Sequence, residues 1–301
     1  MVETTGLTSD DDPQETTARL LRLATRASLA VAMLLVAGKA GVWILTGSLS
    51  VLASLVDSCL DAAASLLNLV AVRFSLTSAD RDHPFGHGKA ESLAGLGQAL
   101  LIGCSALFVV ARAVERFNHP KPLAEVWVGI AVMVAAMLVT IGLVVYQRRV
   151  VALTGSTAIK ADSLHYASDL YTNLGTVLVL ALSGLGWNWL DPLVGVLIAL
   201  IVIHSAWQIA CESVQMLLDH HLSSDTEAEI ARLALAHEKV MGVHDIRTRR
   251  SGQTRIVQLH LELAGELSLT EAHQVTKEVE MKIRALVPQA DIIIHQDPVN
   301  K

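Results

Sequence analysis

Six apolar stretches alternate with short polar segments through the first two thirds of the chain. About 20 consecutive apolar residues form a helix long enough to cross a bilayer. The first stretch runs from about Ala24 to Leu45 and is interrupted by Lys39, which reads as a snorkelling or interior-facing lysine. The second, Ser50 to Phe74, follows a short turn at Thr46-Gly47-Ser48. The third covers Glu91 to Val114, the fourth Val126 to Tyr146, the fifth Asp162 to Leu185, and the sixth Asp191 to Leu218. Asp191 and Pro192 suit an N-cap and a first helical position. The connections are a polar loop, Ser75 to Lys89, a proline-containing link, Asn118 to Pro122, and a second polar loop, Gln147 to Lys160. An aromatic turn at Trp187-Asn188-Trp189 is of the kind found at a membrane face.

The pattern changes near Asp219. Ser224 to Glu227 reads as a capping box opening a helix to about His237. Val243 to Arg250 and Gln253 to Leu263 read as strands joined at Ser251-Gly252. In the second, Val257, Leu259, Leu261 and Leu263 alternate with Gln258, His260 and Glu262. Ser268 to Glu271 is a second capping box, and Ala272, Val275, Val279, Ile283 and Leu286 share a face of the helix that follows. Asp291 to Asp297 is the last strand. The expected fold is therefore an α-helical membrane protein with six transmembrane helices in residues 19–218. A small α+β domain of order α-β-β-α-β follows in residues 219–301. Residues 1–18 read as a polar, acidic, disordered tail without a signal-peptide pattern.

Composition supports a multi-span protein: the 301 residues are 52% hydrophobic and only 17% charged. The net charge of −6 leaves no basic face for nucleic acid. Cys59, Cys104 and Cys211 lie singly in apolar runs, so no disulfide framework or zinc–thiolate site is indicated. Arg19, Arg22 and Arg26 precede the first span, and Arg73, Arg81, Lys89, Arg148, Arg149 and Lys160 flank the two polar loops. By the positive-inside rule both termini are expected in the cytoplasm, despite Arg116 and Lys121 on the other side.

Acids inside apolar spans are the chemistry that composition leaves unexplained. Asp57 and Asp61 are four apart and stack on one helix face, with Asn68 continuing the stripe. A carboxylate at membrane depth costs on the order of 3 kcal/mol. His165 and Asp169 repeat the spacing on the fifth span, with Asn173 beyond them. Two such pairs facing each other offer three carboxylates and an imidazole, an N/O set suited to Zn²⁺ or another first-row divalent ion. Protons compete with metal for those atoms, which suggests metal–proton exchange by alternating access. Asp80, His83 and His87 form a second group, readable either as a wrapped ion site or as a polar loop with surface histidines. In the last domain His295 and Asp297 share a strand face, and His244, His260 and His273 join them only if the strands pair suitably. His204, Glu212 and Gln98 read as packing or hydrogen bonding, and the adjacent His220 and His221 are a poor geometry for one ion.

The runs LVDSCLDAAAS, DRDHPFGHGKAESLAGL and ADSLHYASDL resemble the cation diffusion facilitator family, with GHGKAES the most specific. The resemblance extends from about Arg22 to Asp297 and is nearest to the bacterial ferrous-iron/zinc efflux branch. It implies a homodimer in the bacterial inner membrane with a metallochaperone-like cytoplasmic domain. It implies a transport site at Asp57, Asp61, His165 and Asp169 and a loop site at Asp80, His83 and His87. A two-metal cytoplasmic site follows at His244, His260, His273, His295 and a bridging Asp297, with Gln296 behind it. Lys89 and Asp219 would interlock the membrane halves of the dimer. Arg81 departs from the pattern by placing a cation between the loop acids. The expected function is proton-coupled export of Zn²⁺, Fe²⁺ or Cd²⁺, with the same ions regulating the soluble domain. Enzymatic activity is not expected: an intramembrane metallohydrolase would need a motif such as HExxH, which the sequence lacks. A metal sensor that binds without transport is the other rival.

Overall fold

The computed structural model describes residues 13–46, 49–118, 127–183, 190–288 and 290–299. Six long helices come first: α1 Pro13–Thr46, α2 Leu49–Ser75, α3 Lys89–Asn118, α4 Trp127–Thr154, α5 Thr157–Ser183 and α6 Leu190–Leu217. They are followed by α7 Ser224–Leu235, β1 Val240–Ser251, β2 Thr254–Ala264, α8 Leu269–Leu286 and β3 Ala290–Val299. The chain divides into a helical unit, residues 1–78 and 90–214, and a second unit, residues 79–89 and 215–301. This is the helical membrane domain and α-β-β-α-β domain expected from the sequence.

Five of the six long helices are apolar enough to cross a membrane over their described residues. The exception is α5, which carries Lys160, Asp162, His165, Asp169 and Asn173. Its first half is enclosed: Ala158, Ile159, Ala161, Asp162, Tyr166 and Ala167 are all buried, whereas Tyr171 and Leu174 are exposed. Tyr166 and Ala167 pack with Leu143 and Val144 of α4 and Ala27 and Val31 of α1. Ala161 packs with Ala99 of α3 and Ile209 of α6. Small residues allow that close approach between helices.

Some boundaries differ from the sequence reading. α1 starts at Pro13, within the segment expected as tail, because its polar first turns lead into Leu21, fully buried against Val72 and Val150. The expected loop from Gln147 to Lys160 is almost entirely helix, broken only at Gly155 and Ser156. Gln147 and Val150 look polar or ordinary in sequence but face the interior, and Gly155 turns the chain at φ 62°. The aromatic turn at Trp187-Asn188-Trp189 lies outside the described residues.

In the second unit β1 and β2 pair antiparallel across the Ser251 turn, and β2 and β3 pair parallel, in the order β1-β2-β3. Val257, Leu259, Leu261 and Leu263 point to one face, where α7 and α8 cover them with Ile230, Ala234, Val275, Val279 and Ile283. The alternate residues of the strands face the side without helices. The capping box of α8 is complete: Ser268 accepts from Glu271 N–H, and the Glu271 carboxylate accepts from Ser268 N–H. The N-cap of α7 is Ser223 rather than Ser224, and its hydroxyl accepts from Thr226 N–H. Residues 79–89 pack on the hairpin tip, where Gly88 lies against the Ser251 backbone and Gly252, at φ 58°, lies against Gly88. Neither glycine has room for a Cβ.

Candidate metal centre

In the helical unit, α2 and α5 bring Asp61, His165 and Asp169 together, with one ligand atom from each within 4.8 Å of the others. His165 Nε2 lies 3.0 Å from Asp61 Oδ1 and 3.9 Å from Asp169 Oδ2. The i,i+4 spacing on α5 stacks His165 and Asp169, and α2 crosses them at Asp61. Next to this group the Tyr166 hydroxyl meets Ser65 Oγ at 2.8 Å, a second side-chain link between α2 and α5. Asp57, one turn before Asp61, is exposed and is not one of the three gathered residues. Asn68 is buried further along α2.

One turn before His165 the structure shows a polar contact that sequence reasoning missed. Asp162 is fully buried and accepts from Gln98 Nε2 of α3 at 2.9 Å and Gln147 Nε2 of α4 at 2.6 Å. It fixes α5 to two neighbours just beside His165. Asp162 stood in the sequence only as the opening of a span, Gln147 as loop, and Gln98 as a generic hydrogen bonder. The i,i+3 spacing from Asp162 to His165 was the available signal. Lys39 of α1 is a second such residue: its ammonium donates to Ser58 Oγ at 2.7 Å and to the Ser54 carbonyl at 3.2 Å. Of the polar side chains expected as packing, Glu212 pairs with Lys160, and His204 meets Gln208 at 3.1 Å.

In the second unit, the segment before α3 gathers Asp80, His83 and His87. His83 Nδ1 and His87 Nε2 are 3.1 Å apart and lie 3.4 and 3.5 Å from the Asp80 carboxylate. Asp80 Oδ1 also accepts from the backbone N–H groups of His83 and Asp82. The His83 N–H is the main reason this carboxyl is held below the usual aspartate range. Gly86, at φ 77°, turns the segment so that His87 folds back under it. Arg81 is exposed, and no described ion pair joins it to Asp80. Within the chain Lys89 meets Asp219 at 2.9 Å, and Arg249, not foreseen, meets the same carboxylate oxygen at 3.0 Å. Burial disfavours the Asp219 charge, but these two cations outweigh it and hold the carboxyl below its ordinary value.

The strand register settles how the other histidines sit. His244 is directly opposite His260, and His260 is directly opposite His295, giving a row of three imidazoles across the sheet. Asp297, two residues beyond His295, reaches all of them: Oδ2 lies 2.8 Å from His260 Nδ1 and 3.2 Å from His244 Nε2, and Oδ1 lies 3.3 Å from His295 Nε2. The hydrogen bond from His260 is the leading cause that keeps the Asp297 carboxyl low. A β-bulge after His244, with Asp245 at φ 50°, lets β1 deliver that imidazole at the edge of the row. Two residues expected with this set stand elsewhere. His273 is exposed on α8, in the helix layer, and is not one of the gathered ligands. Gln296 points to the opposite strand face and donates to Thr276 Oγ1 at 2.8 Å, because a strand alternates its side chains.

Carboxylate and imidazole groups in all three clusters match the ligand chemistry of first-row divalent cations. Comparison with known proteins agrees with that chemistry. Residues 25–218 match the family described as "Cation efflux transmembrane domain", and residues 222–299 match "Cation efflux protein, cytoplasmic domain". The chain is 44% identical over 279 residues to the "Cation-efflux pump FieF" of Shewanella oneidensis, covering 93% of this chain and 94% of that protein. It is 46% identical over 280 residues to the proteins of that name from Escherichia fergusonii, covering 93% of each chain, and Cronobacter sakazakii, covering 92% of this chain and 93% of that one.

Proposed function

Because the chain belongs to the cation efflux family, we propose that it exports divalent metal cations from the cytoplasm in exchange for protons. The observation that carries this reading is the convergence of Asp61, His165 and Asp169 from two membrane helices. An ionisable cluster at membrane depth is costly and is retained where an ion or proton passes. The cation is the cargo, held by Asp61, His165 and Asp169, with Asp57 one turn along α2 as the fourth ligand. Protonated carboxyl and imidazolium groups do not bind metal, so protons taken up from the receiving side release the cation and return inward. The ligand set admits Zn²⁺, Fe²⁺ and Cd²⁺ alike.

The reading extends to the other clusters. Asp80, His83 and His87 hold a second divalent ion, and His244, His260, His295 and Asp297 hold regulatory ions in the soluble domain. His273 completes that site if α8 or a partner copy brings it near. The protein works as a homodimer in the bacterial inner membrane, both termini in the cytoplasm, with Lys89 and Asp219 joining the membrane halves. Zinc flux into proteoliposomes under an imposed pH gradient tests the central claim. Asp61→Ala and Asp169→Ala are expected to reduce flux at least about a hundredfold, and retained flux in either variant overturns the site assignment. Wild-type zinc binding without pH-driven flux favours a sensor.

A further inference from the structure

The transport reading leaves Lys39 without a role. A lysine inside an apolar helix is costly unless something negative or strongly polar meets it. The first 46 residues contain no acid on α1 within three turns of it. Instead the side chain crosses to α2, donating to Ser58 Oγ and the Ser54 carbonyl. Ser58 is itself buried, follows Asp57 directly and lies three residues before Asp61. The ammonium is thus tethered on the ligand-bearing helix, at the depth of Asp57, beside the site rather than out at a membrane surface.

From this geometry we infer that Lys39 is the fixed counter-charge of the transport site, a positioning residue that sets its net charge to match one divalent cation. Among the four ligands, three carboxylates and a divalent cation leave one negative charge when His165 is neutral, and the ammonium cancels it. Asp162 lies outside this set, its carboxylate oxygens met by Gln98 and Gln147. The loaded site is then neutral, the state that crosses a low-dielectric interior at least cost. A monovalent cation leaves the site negative and a trivalent one leaves it positive. The same charge opposes over-tight binding. Without Lys39, the carboxylates hold the cation more strongly and release it more slowly. This rests on the exporter reading for its cargo, but the charge effect is measurable by binding alone.

The Coulomb energy of a unit charge and a divalent cation about 10 Å apart, at an effective dielectric constant of about 20, corresponds to more than tenfold in affinity. Zinc flux into proteoliposomes and equilibrium zinc binding are measured for the full-length wild type and for Lys39→Gln, Lys39→Met and Lys39→Arg. The neutral variants are expected to show a KM lowered at least about tenfold together with a lower maximal rate, and Lys39→Arg to keep both within about threefold. A merely structural role would raise KM and lower rate together. Neutral variants with an unchanged or raised KM, or with unchanged or weaker zinc binding, overturn the inference. So does a Lys39→Arg shift beyond about tenfold, which remains readable if the neutral variants do not fold. Tighter zinc binding in the neutral variants, with no flux even in the wild type, upholds the counter-charge and overturns only the exporter reading.

Discussion

Removing the Asp162 carboxylate tests whether the contact among α3, α4 and α5 holds the helical unit together. Asp162 has no exposed surface and receives the Nε2 groups of Gln98 and Gln147. Asp162→Ala leaves both donors without an acceptor in a site closed to water. Each unsatisfied donor costs about 1–3 kcal/mol, which gives about 2–6 kcal/mol for two. Hydrogen bonds between membrane helices fall toward the low end, because the unfolded chain in detergent or lipid finds other partners. The expected loss is therefore about 2 kcal/mol. Asp162→Asn separates the hydrogen bonds from the charge. Gln98 Oε1 and Gln147 Oε1 are both buried without partners, so one glutamine amide can flip and accept from the new Asn Nδ2. That variant is expected to lose less than about 1 kcal/mol, on the same principle of donor satisfaction. Unfolding of purified protein by a denaturing detergent, followed by tryptophan fluorescence, reads both losses. An Asp162→Ala protein within about 0.5 kcal/mol of wild type refutes the reasoning, as does an Asn variant as unstable as the Ala one.

Two further outcomes follow from the second unit. Leu261 is fully buried under α7 and α8, so Leu261→Ala is expected to destabilise that unit by about 2–5 kcal/mol. Hydrogen exchange of β2 amides in the full chain measures it, and unchanged protection counts against the packing. The folded protein holds the Asp219 carboxyl below its unfolded value, so its contribution is complete above the ordinary aspartate range and lost as pH falls through the held-down value. Because the pair is partly exposed, that contribution is under about 1 kcal/mol. The stability difference between wild type and Asp219→Asn should stay constant from about pH 8 to pH 5 and shrink only at lower pH. A difference that disappears between pH 8 and pH 6 would contradict it.

The apolar periods were enough to find the helices and strands, because burial in lipid or under a helix layer demands continuous or alternating apolar positions. They failed where polar residues face inward. Gln147 read as loop because a glutamine at a helix end usually meets water, whereas here it meets Asp162. The grouping of Asp61 with His165 and Asp169 was legible because four-residue spacing fixes a common face before any partner is known, though Asp57, read with them, is not gathered there. The histidine row was legible only through the family resemblance, since His244, His260 and His295 are joined by register across two strand pairings, one of them parallel. Lys39 was visible as an anomaly, but only the fold shows that Ser58 of the neighbouring helix receives it.

The long helix whose described residues are not apolar enough to cross a membrane is also the most informative. α5 carries Asp162, His165 and Asp169, and its neighbours enclose the stretch around Asp162 and Tyr166, while Tyr171 and Leu174 further along are exposed. They do so unequally. Toward α3 and α4 it is tied by the Asp162 hydrogen bonds and by close packing of Ala161 and Ala167. Toward α2 its side-chain links are His165 with Asp61 and Tyr166 with Ser65. Under the proposed function, a cation bound among Asp61, His165 and Asp169 would replace the first of these with stronger bonds, and its loss on protonation would weaken them. The proposal therefore makes the interface between α2 and α5 the one that should respond to cargo, with the Asp162 hydrogen bonds holding α5 to α3 and α4 on its other side.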